Sequence, residues 1–509
     1  MKELPQMCGQ TIPMMWDNCV QTRPNEEFLV FIDNSIGKAT SFTYWEFDSR
    51  VNQTANMLSE RFSISKGDRV ALIMCNSVEL IEWILATSKL GAVVVPMLPT
   101  LTSSEYDHLL STSTPKLVAI QGLVFPELPE KHRQKVLWLE ESTRLADDYS
   151  PEFDKEIHIC STDLAQIMFT SGTTACPKGV MLTHANFVFS GFYVNWQLAM
   201  TPRDRYLTSM MGTHVNFQLS ALMPVITIGA SLIFVSRYSA RRFWKQVCSY
   251  GATLVQSMAM IARTMLAQPV DEEEKKHNVR FVHYFLPIND DEMREYKERF
   301  NVEIVNSYGL TETLVGVLTD IPYGPSKWPA VGIEGPGYEA QIRRDDGSVA
   351  LPYEEGRIYI RGIQGKTLMA GYWRGKEDTK QTIDSYGWLA TGDVGYRDDE
   401  GWFYFVERDA RLIKRSGENI SAREIELVLS QLDEVKDVAV IGIPDPIYDQ
   451  VPKAIVVSTN SSLTERDVIE FAKKSLADFK VPAIVEFRNE IPRGLYGKLL
   501  IKQLRNDAK

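Results

Sequence analysis

Ten consecutive residues, Thr170-Ser171-Gly172-Thr173-Thr174-Ala175-Cys176-Pro177-Lys178-Gly179, gather hydroxyls, glycines, a proline and a lysine. Small residues let backbone N–H groups approach an anion closely, hydroxyls add donors, and the lysine adds a mobile positive charge. A loop that holds nucleotide phosphates needs these groups. The order is not that of the G-x-x-x-x-G-K-[ST] loop, because the lysine follows a proline. That difference separates use of ATP to make an adenylate from transfer of its γ-phosphate. A Ser/Thr/Gly cluster also suits an ordinary surface loop, and the flanks favour the phosphate reading. Residues 164–169 read as a short buried strand and 179–184 as a second, with Thr183 or Asn186 placed to cap the next helix. Thr170, Ser171, Gly172, Thr173, Thr174 and Lys178 are therefore the candidate phosphate ligands.

Three other stretches carry usable chemistry. In Tyr308-Gly309-Leu310-Thr311-Glu312, Tyr308 offers a flat ring for a base and Gly309 permits a tight turn. Thr311 can donate to a phosphate, and Glu312 is a hard oxygen ligand suited to Mg²⁺. Asp393 lies in a glycine-framed turn, where a carboxylate accepts from ribose hydroxyls or merely closes an Asx-turn. Lys498 stands close to the C-terminus and by itself reads as a solvated lysine.

The elements that must position these residues alternate. Residues 69–74 form an apolar strand, Asn76 or Ser77 caps a helix reaching Leu90, Gly91 stops it, and 92–96 form the next strand. This unit implies a parallel sheet. The pattern recurs with strands at 230–235, 254–256 and 302–307 and a helix at 240–247, which predicts α/β layers. From Gly356 the texture changes to period-two alternation, at 357–361 and 402–406, as in a small antiparallel β subdomain. After Arg408 a compact α+β module is expected, with helices at 422–432 and 464–474 and strands at 435–443 and 454–458. The expected division is residues 1–409 and 410–509.

With 509 residues the chain exceeds one ordinary core. A net charge of −11 opposes general nucleic-acid binding. Residues 410–509 are nearly neutral beside an acidic remainder, which eases approach of an anionic co-substrate. Six scattered cysteines show no C-x-x-C pair or zinc spacing, and the N-terminus has no apolar signal-peptide core. The apolar stretch 221–235 contains Pro224 and Gly229 and is too short to span a bilayer. A cytoplasmic protein without a membrane span is expected, and the sequence is compatible with a homodimer.

Taken together and in this order, these motifs resemble the adenylate-forming superfamily: acyl-CoA synthetases, peptide-synthetase adenylation domains and firefly luciferase. The resemblance covers nearly the whole chain. It rests on the phosphate loop, Tyr308 to Glu312, Gly387 to Asp393, Arg408, Lys414 to Gly417, and Lys498. Two positions depart from the pattern: Ala175, where glycine is frequent, and residues 285–288, where many members carry a glycine-rich loop beside adenine. Within the superfamily the chain looks most like bacterial crotonobetaine/carnitine–CoA ligases, on residues 237–244, 307–316 and 413–421.

The resemblance implies a two-step reaction. A small carboxylic acid attacks the α-phosphate of ATP to give acyl-AMP and pyrophosphate, and the thiol of coenzyme A then displaces AMP. It gives Lys498 to the α-phosphate, Thr311 and His214 to the reaction centre and Glu312 to Mg²⁺. It gives Tyr308, Gly309, Asp393 and Arg408 to the nucleotide. Ala410 falls at the hinge of a mobile C-terminal domain that carries Arg415, Ser416 and Gly417 to the pantetheine. His214, Asn216, Phe217, Tyr193 and Tyr284 are the expected acyl pocket. There Phe217, Tyr193, Trp196 and Tyr284 form either a cation–π box or core. Amino-acid-activating relatives and the carnitine-type ligases carry an acid at the position of Asn216, so a neutral amide weakens the cationic-substrate reading. The alternative function is loading of an acyl or β-amino acyl group onto a carrier-protein phosphopantetheine thiol. A scaffold without catalysis is opposed by the joint presence of Glu312, Asp393, Arg408 and Lys498.

Overall fold

The computed structural model describes residues 9–122, 128–170, 177–286, 288–408, 412–460, 462–492, 499 and 501–506, with the side chains of 407, 408, 502, 503 and 506 excepted. Two large sheets dominate. A nine-stranded sheet has parallel neighbours from Glu27–Asp33 through Ser231–Val235, Arg205–Thr208, Leu254–Met258 and Phe281–Phe285 to Ile304–Tyr308. A seven-stranded sheet has Arg69–Ile73 and Val93–Met97 at its parallel centre. The expected unit is here: Ser77 accepts from the Leu80 N–H to start Val78–Lys89, and Gly91 takes φ +63° to leave it.

Helix His184–Gln197 is buried on nearly every face and joins the sheets. It begins at a Thr183–Asn186 capping box at the end of a strand of the seven-stranded sheet. It ends where Gln197 Nε2 donates to Thr319 Oγ1 of the nine-stranded sheet, 2.7 Å away. One apolar core consequently runs from Ile12 to Phe403. Strands Glu339–Arg343, Gly356–Arg361, Trp388–Arg397 and Phe403–Arg408 make the expected antiparallel sheet. A smaller module follows, with its own apolar clusters over Ile413–Val485 and Ala439–Leu504. Among the described residues no helix is long and apolar enough to cross a membrane.

Some expected bounds shift. The helix expected at 240–247 is Phe243–Ser249, because residues 240–242 are spent in a turn whose Ser239 carbonyl accepts from the Arg242 and Phe243 N–H groups. The strand expected at 302–307 is Ile304–Tyr308. A π-helical turn, Gln218–Leu222, follows the short helix Val215–Phe217; no periodicity announces it.

Two buried histidines make the fold acid-sensitive. Burial pushes His184, which faces Asp163 and Lys66, down to about 4, and His283 down to about 3. Both stay neutral in the folded chain, while the unfolded chain protonates them near pH 6.5. Their contribution is therefore complete above pH 6.5 and is lost as pH falls toward the folded values, by about 2 kcal/mol each at pH 5. Urea midpoints at pH 7 and 5 are expected to fall less in His184→Gln than in the parent; equal falls would locate the sensitivity elsewhere.

Candidate active site

A cleft opens at the carboxyl ends of the parallel strands, where open α/β sheets hold ligands. Its space out to the mouth, open solvent included, is about 940 Å³. The large part contributes His214, Asn216, Leu286, Ser307, Tyr308 and Asp393, and the small module contributes Lys414, Gly417 and Asn419. A second cavity adjoins it between Met97, Leu101, Leu109 and Phe169 on one side and Gly417, Phe479 and Lys480 on the other. His214, Val215, Thr311, Gly417 and Asn419 line both.

At one end the Tyr308 hydroxyl donates to Asp393 Oδ2 at 2.6 Å, with both side chains buried. Strand pairing sets Asp393 opposite Arg408. Tyr308 thus spends its O–H on Asp393, and its ring lies 6.4 Å from that of Phe405. Gly309 is required by space: a Cβ there would sit 2.0 Å from the Val315 carbonyl oxygen. In the stretch that departs from the glycine-rich pattern, Leu286 holds φ +70° on the cleft wall. A left-handed leucine costs roughly 1–2 kcal/mol.

The hairpin expected around the phosphate loop is present, since Leu164–Thr170 pairs antiparallel with Lys178–Thr183 and Thr170 lies opposite Lys178. Ser171, Gly172, Thr173 and Thr174 lie outside the described residues. Thr170 lines the second cavity. Lys178 is placed otherwise than expected: it bonds Asp378 Oδ1 at 2.5 Å, lies 5.1 Å over the Tyr372 ring and lines neither cavity. Tyr372 in turn donates to Glu312 Oε1 at 2.9 Å. Tyr372 and Asp378 have no signature in the sequence. Among the described residues no group of three or more His, Cys, Asp or Glu side chains could hold a metal. Glu312 lines neither cavity and accepts from Tyr372; as a hard oxygen ligand it would suit Mg²⁺ that takes its other oxygens from phosphates and water.

On the acyl side His214 and Asn216 reach the cleft. The Asn216 N–H donates to His214 Nδ1 at 3.2 Å, and its carbonyl accepts from Gln256 Nε2 at 2.8 Å. Three expected pocket residues are corrected to core. Phe217 is stacked on Phe234 at 4.3 Å. Tyr193 is wedged behind the wall, its hydroxyl donating to the Gly316 carbonyl at 2.7 Å. Tyr284 packs against Tyr296 and Trp328. All three are at most 4 % exposed, because a site at strand ends draws on loops while these rings sit inside elements.

In the small module, Gly417 lines both cavities at φ +90°, and a Cβ there would meet Met258 Cε at 2.9 Å. Arg415 turns inward instead, donating to the Phe479 carbonyl at 2.7 Å and lying 4.8 Å over Tyr448. The Ser416 hydroxyl is buried and lines neither cavity. Ala410 and Lys498 lie outside the described residues. Two ion pairs that sequence reasoning missed bind the module to the large part: Arg263 to Asp449 at 2.7 Å, and Lys480 to Glu105 at 2.5 Å.

The class this arrangement defines is that of two-part enzymes with a cleft between a layered α/β part and a small docked module. The family model of AMP-binding enzymes matches residues 16–373, and that of the AMP-binding enzyme C-terminal domain matches 424–498. The chain belongs to the AMP-binding enzyme family. A crotonobetaine/carnitine–CoA ligase of Citrobacter koseri is 37% identical, covering 98% of this chain and 99% of that one. Two structures of o-succinylbenzoate–CoA synthetase from Bacillus subtilis are 26% identical. A double mutant bound to the product analogue OSB-NCoA gives a TM-score of 0.88 and covers 98% of this chain and 99% of that one. The complex with the acyl-adenylate OSB-AMP gives 0.71 and covers 97% and 98%.

Proposed function

We propose that the chain is an ATP-dependent acid–CoA ligase that activates a small carboxylic acid as acyl-AMP and passes the acyl group to coenzyme A. The observation that carries this is the cleft itself: a buried Tyr308–Asp393 pair at one end, an uncharged acyl end at the other, and a second channel meeting both at His214, Thr311 and Gly417. In the first step a carboxylate oxygen bonds to the α-phosphorus and the bond to pyrophosphate breaks. Negative charge gathers there, so fixed cations and donors lower the barrier. Lys498 supplies the cation, Thr311 a donor, and Thr170, Ser171, Gly172, Thr173, Thr174 and Lys178 hold the departing phosphates once Lys178 exchanges Asp378 for them. Asp393 takes the ribose hydroxyls beside Arg408, and Tyr308 the base. Mg²⁺ would be held by Glu312 and neutralise phosphate charge.

In the second step a thiolate bonds to the acyl carbon and the bond to AMP breaks. His214 stands where the two cavities meet, beside the acyl carbon. The small module rotates about Ala410 between the steps, exchanging Lys498 for Gly417 at the cleft. The higher likeness to the CoA-analogue complex supports assigning the present arrangement to the second step.

The test measures pyrophosphate release across betaines, hydroxy acids, amide-bearing acids, β-amino acids, fatty acids and aryl acids, with and without coenzyme A. An active acid should give a single turnover alone and sustained release with coenzyme A. Release that coenzyme A does not accelerate would redirect the acyl group to a carrier-protein thiol, and no acid-dependent release would overturn the reading.

A further inference from the structure

Among the described residues the acyl end of the cleft carries no carboxylate. Side chains alternate across a sheet, so Ser307 and Tyr308, adjacent at the end of Ile304–Tyr308, face opposite ways. Asp393 and Phe405 lie with Tyr308. With Ser307 lie Phe285, its partner across the sheet, Gly316, and Asn216 with His214, which Gln256 holds on the same face; Leu314 and Val315 continue the cleft lining. Among the described residues lining this cleft Asp393 is the one carboxylate, and it belongs to the Tyr308 end.

Among the described residues no box of rings closes on this side: Phe217, Tyr193 and Tyr284 are core, Trp196 lines neither cavity, and Phe285, paired with Ser307 across the sheet, is a single ring at the cleft. The layer beneath Ser307 is neutral as well. Its hydroxyl lies 3.3 Å from His283 Nε2, and His283 Nδ1 lies 2.9 Å from the Tyr206 hydroxyl. Full burial keeps that imidazole uncharged. A quaternary ammonium brought here would lose water and gain no counter-charge from the described residues, and of aromatic faces it would meet Phe285 alone rather than a box.

The pocket does offer hydrogen bonds. Asn216 is fixed through its main chain on both sides, and its side-chain amide makes no hydrogen bond to the described residues. An amide presents both a donor and an acceptor. Resting on the acid–CoA ligase reading, we propose that this subsite takes a small carboxylic acid whose uncharged tail bears a hydroxyl or amide facing Asn216, and that it rejects acids bearing a quaternary ammonium.

The experiment compares pyrophosphate release by the full chain with carnitine and with its carbon isostere, in which a tert-butyl group replaces trimethylammonium. Each is paired with its analogue lacking the hydroxyl. kcat/KM should be at least about tenfold higher for the uncharged isostere, and higher with the hydroxyl than without. Asn216→Asp, nearly isosteric, should move the charged-to-uncharged ratio at least about tenfold toward the cation. A parent preference for carnitine, or an unchanged ratio in Asn216→Asp, overturns the proposal, and indifference to the hydroxyl overturns its hydrogen-bonding half. If neither these four acids nor any in the wider panel gives release, the ligase reading fails and the proposal with it; release with other acids but none of these four overturns the proposal alone.

Discussion

Replacing Lys498 with alanine is expected to lower acid-dependent ATP–pyrophosphate exchange by some hundreds to about a thousandfold, while thioester formation from supplied acyl-AMP falls less than about tenfold. The size follows from the chemistry. Attack by a carboxylate on a phosphate brings two anions together, and the added charge appears on the α-phosphate oxygens. One pre-placed cation aimed at such a charge is worth about 3–4 kcal/mol, or some hundreds to a thousandfold. The second step expels AMP from a neutral acyl carbon and needs no cation between two anions. Exchange retained within about tenfold, or both steps falling alike, would remove Lys498 from the proposed role.

The second large effect lies in the docked module. Lys480 is 4 % exposed and bonds Glu105 of the large part at 2.5 Å and Glu424 of its own module at 2.8 Å. Burial works against its charge, but the two carboxylates outweigh it and hold the ammonium above its usual pKa. Removing one partner of a buried ion cluster typically costs 3–5 kcal/mol, roughly, because the others are left uncompensated. If the module rotates as proposed, only the docked arrangement brings Lys480 to Glu105, and the cost falls on that arrangement. Lys480→Met should therefore slow CoA-dependent thioester formation by about a hundredfold and leave exchange within about threefold. Glu105→Gln leaves the Lys480–Glu424 pair intact and should reproduce the split at about tenfold. Equal loss of both steps in Glu105→Gln would reduce the cluster to packing.

What the sequence disclosed and what it hid divide along chain distance. Ser77, Gly91 and the Thr183–Asn186 box act on residues within a few positions, and the elements they bound stand where expected. The hairpin at Thr170 and the strand end at Tyr308 were legible for the same reason. The partners of Lys178 and Lys480 are 200 and 375 residues away, and no local pattern names them. The aromatic rings near the acyl pocket failed differently. Phe217, Tyr193 and Tyr284 are near the cleft in the chain, but which way a ring points depends on helix phase and strand register. The π-helical turn at Gln218–Leu222, beside Phe217, changes that phase without a compositional sign.

The back wall of the acyl end is built largely of main chain. At Gly309 a Cβ would meet the Val315 carbonyl, at Gly316 one would strike Ser307, and the Gly316 carbonyl is itself claimed by Tyr193. At Gly335 a Cβ would fall 1.8 Å from the Tyr193 hydroxyl. Variation at these positions cannot widen or deepen the pocket without displacing backbone. Descendants of this chain that acquire a new acid must therefore do so by exchanging the few side chains set into that frame, Asn216 and Leu314 first among them. An adaptable enzyme of this design resembles a fixed lock housing with replaceable pins.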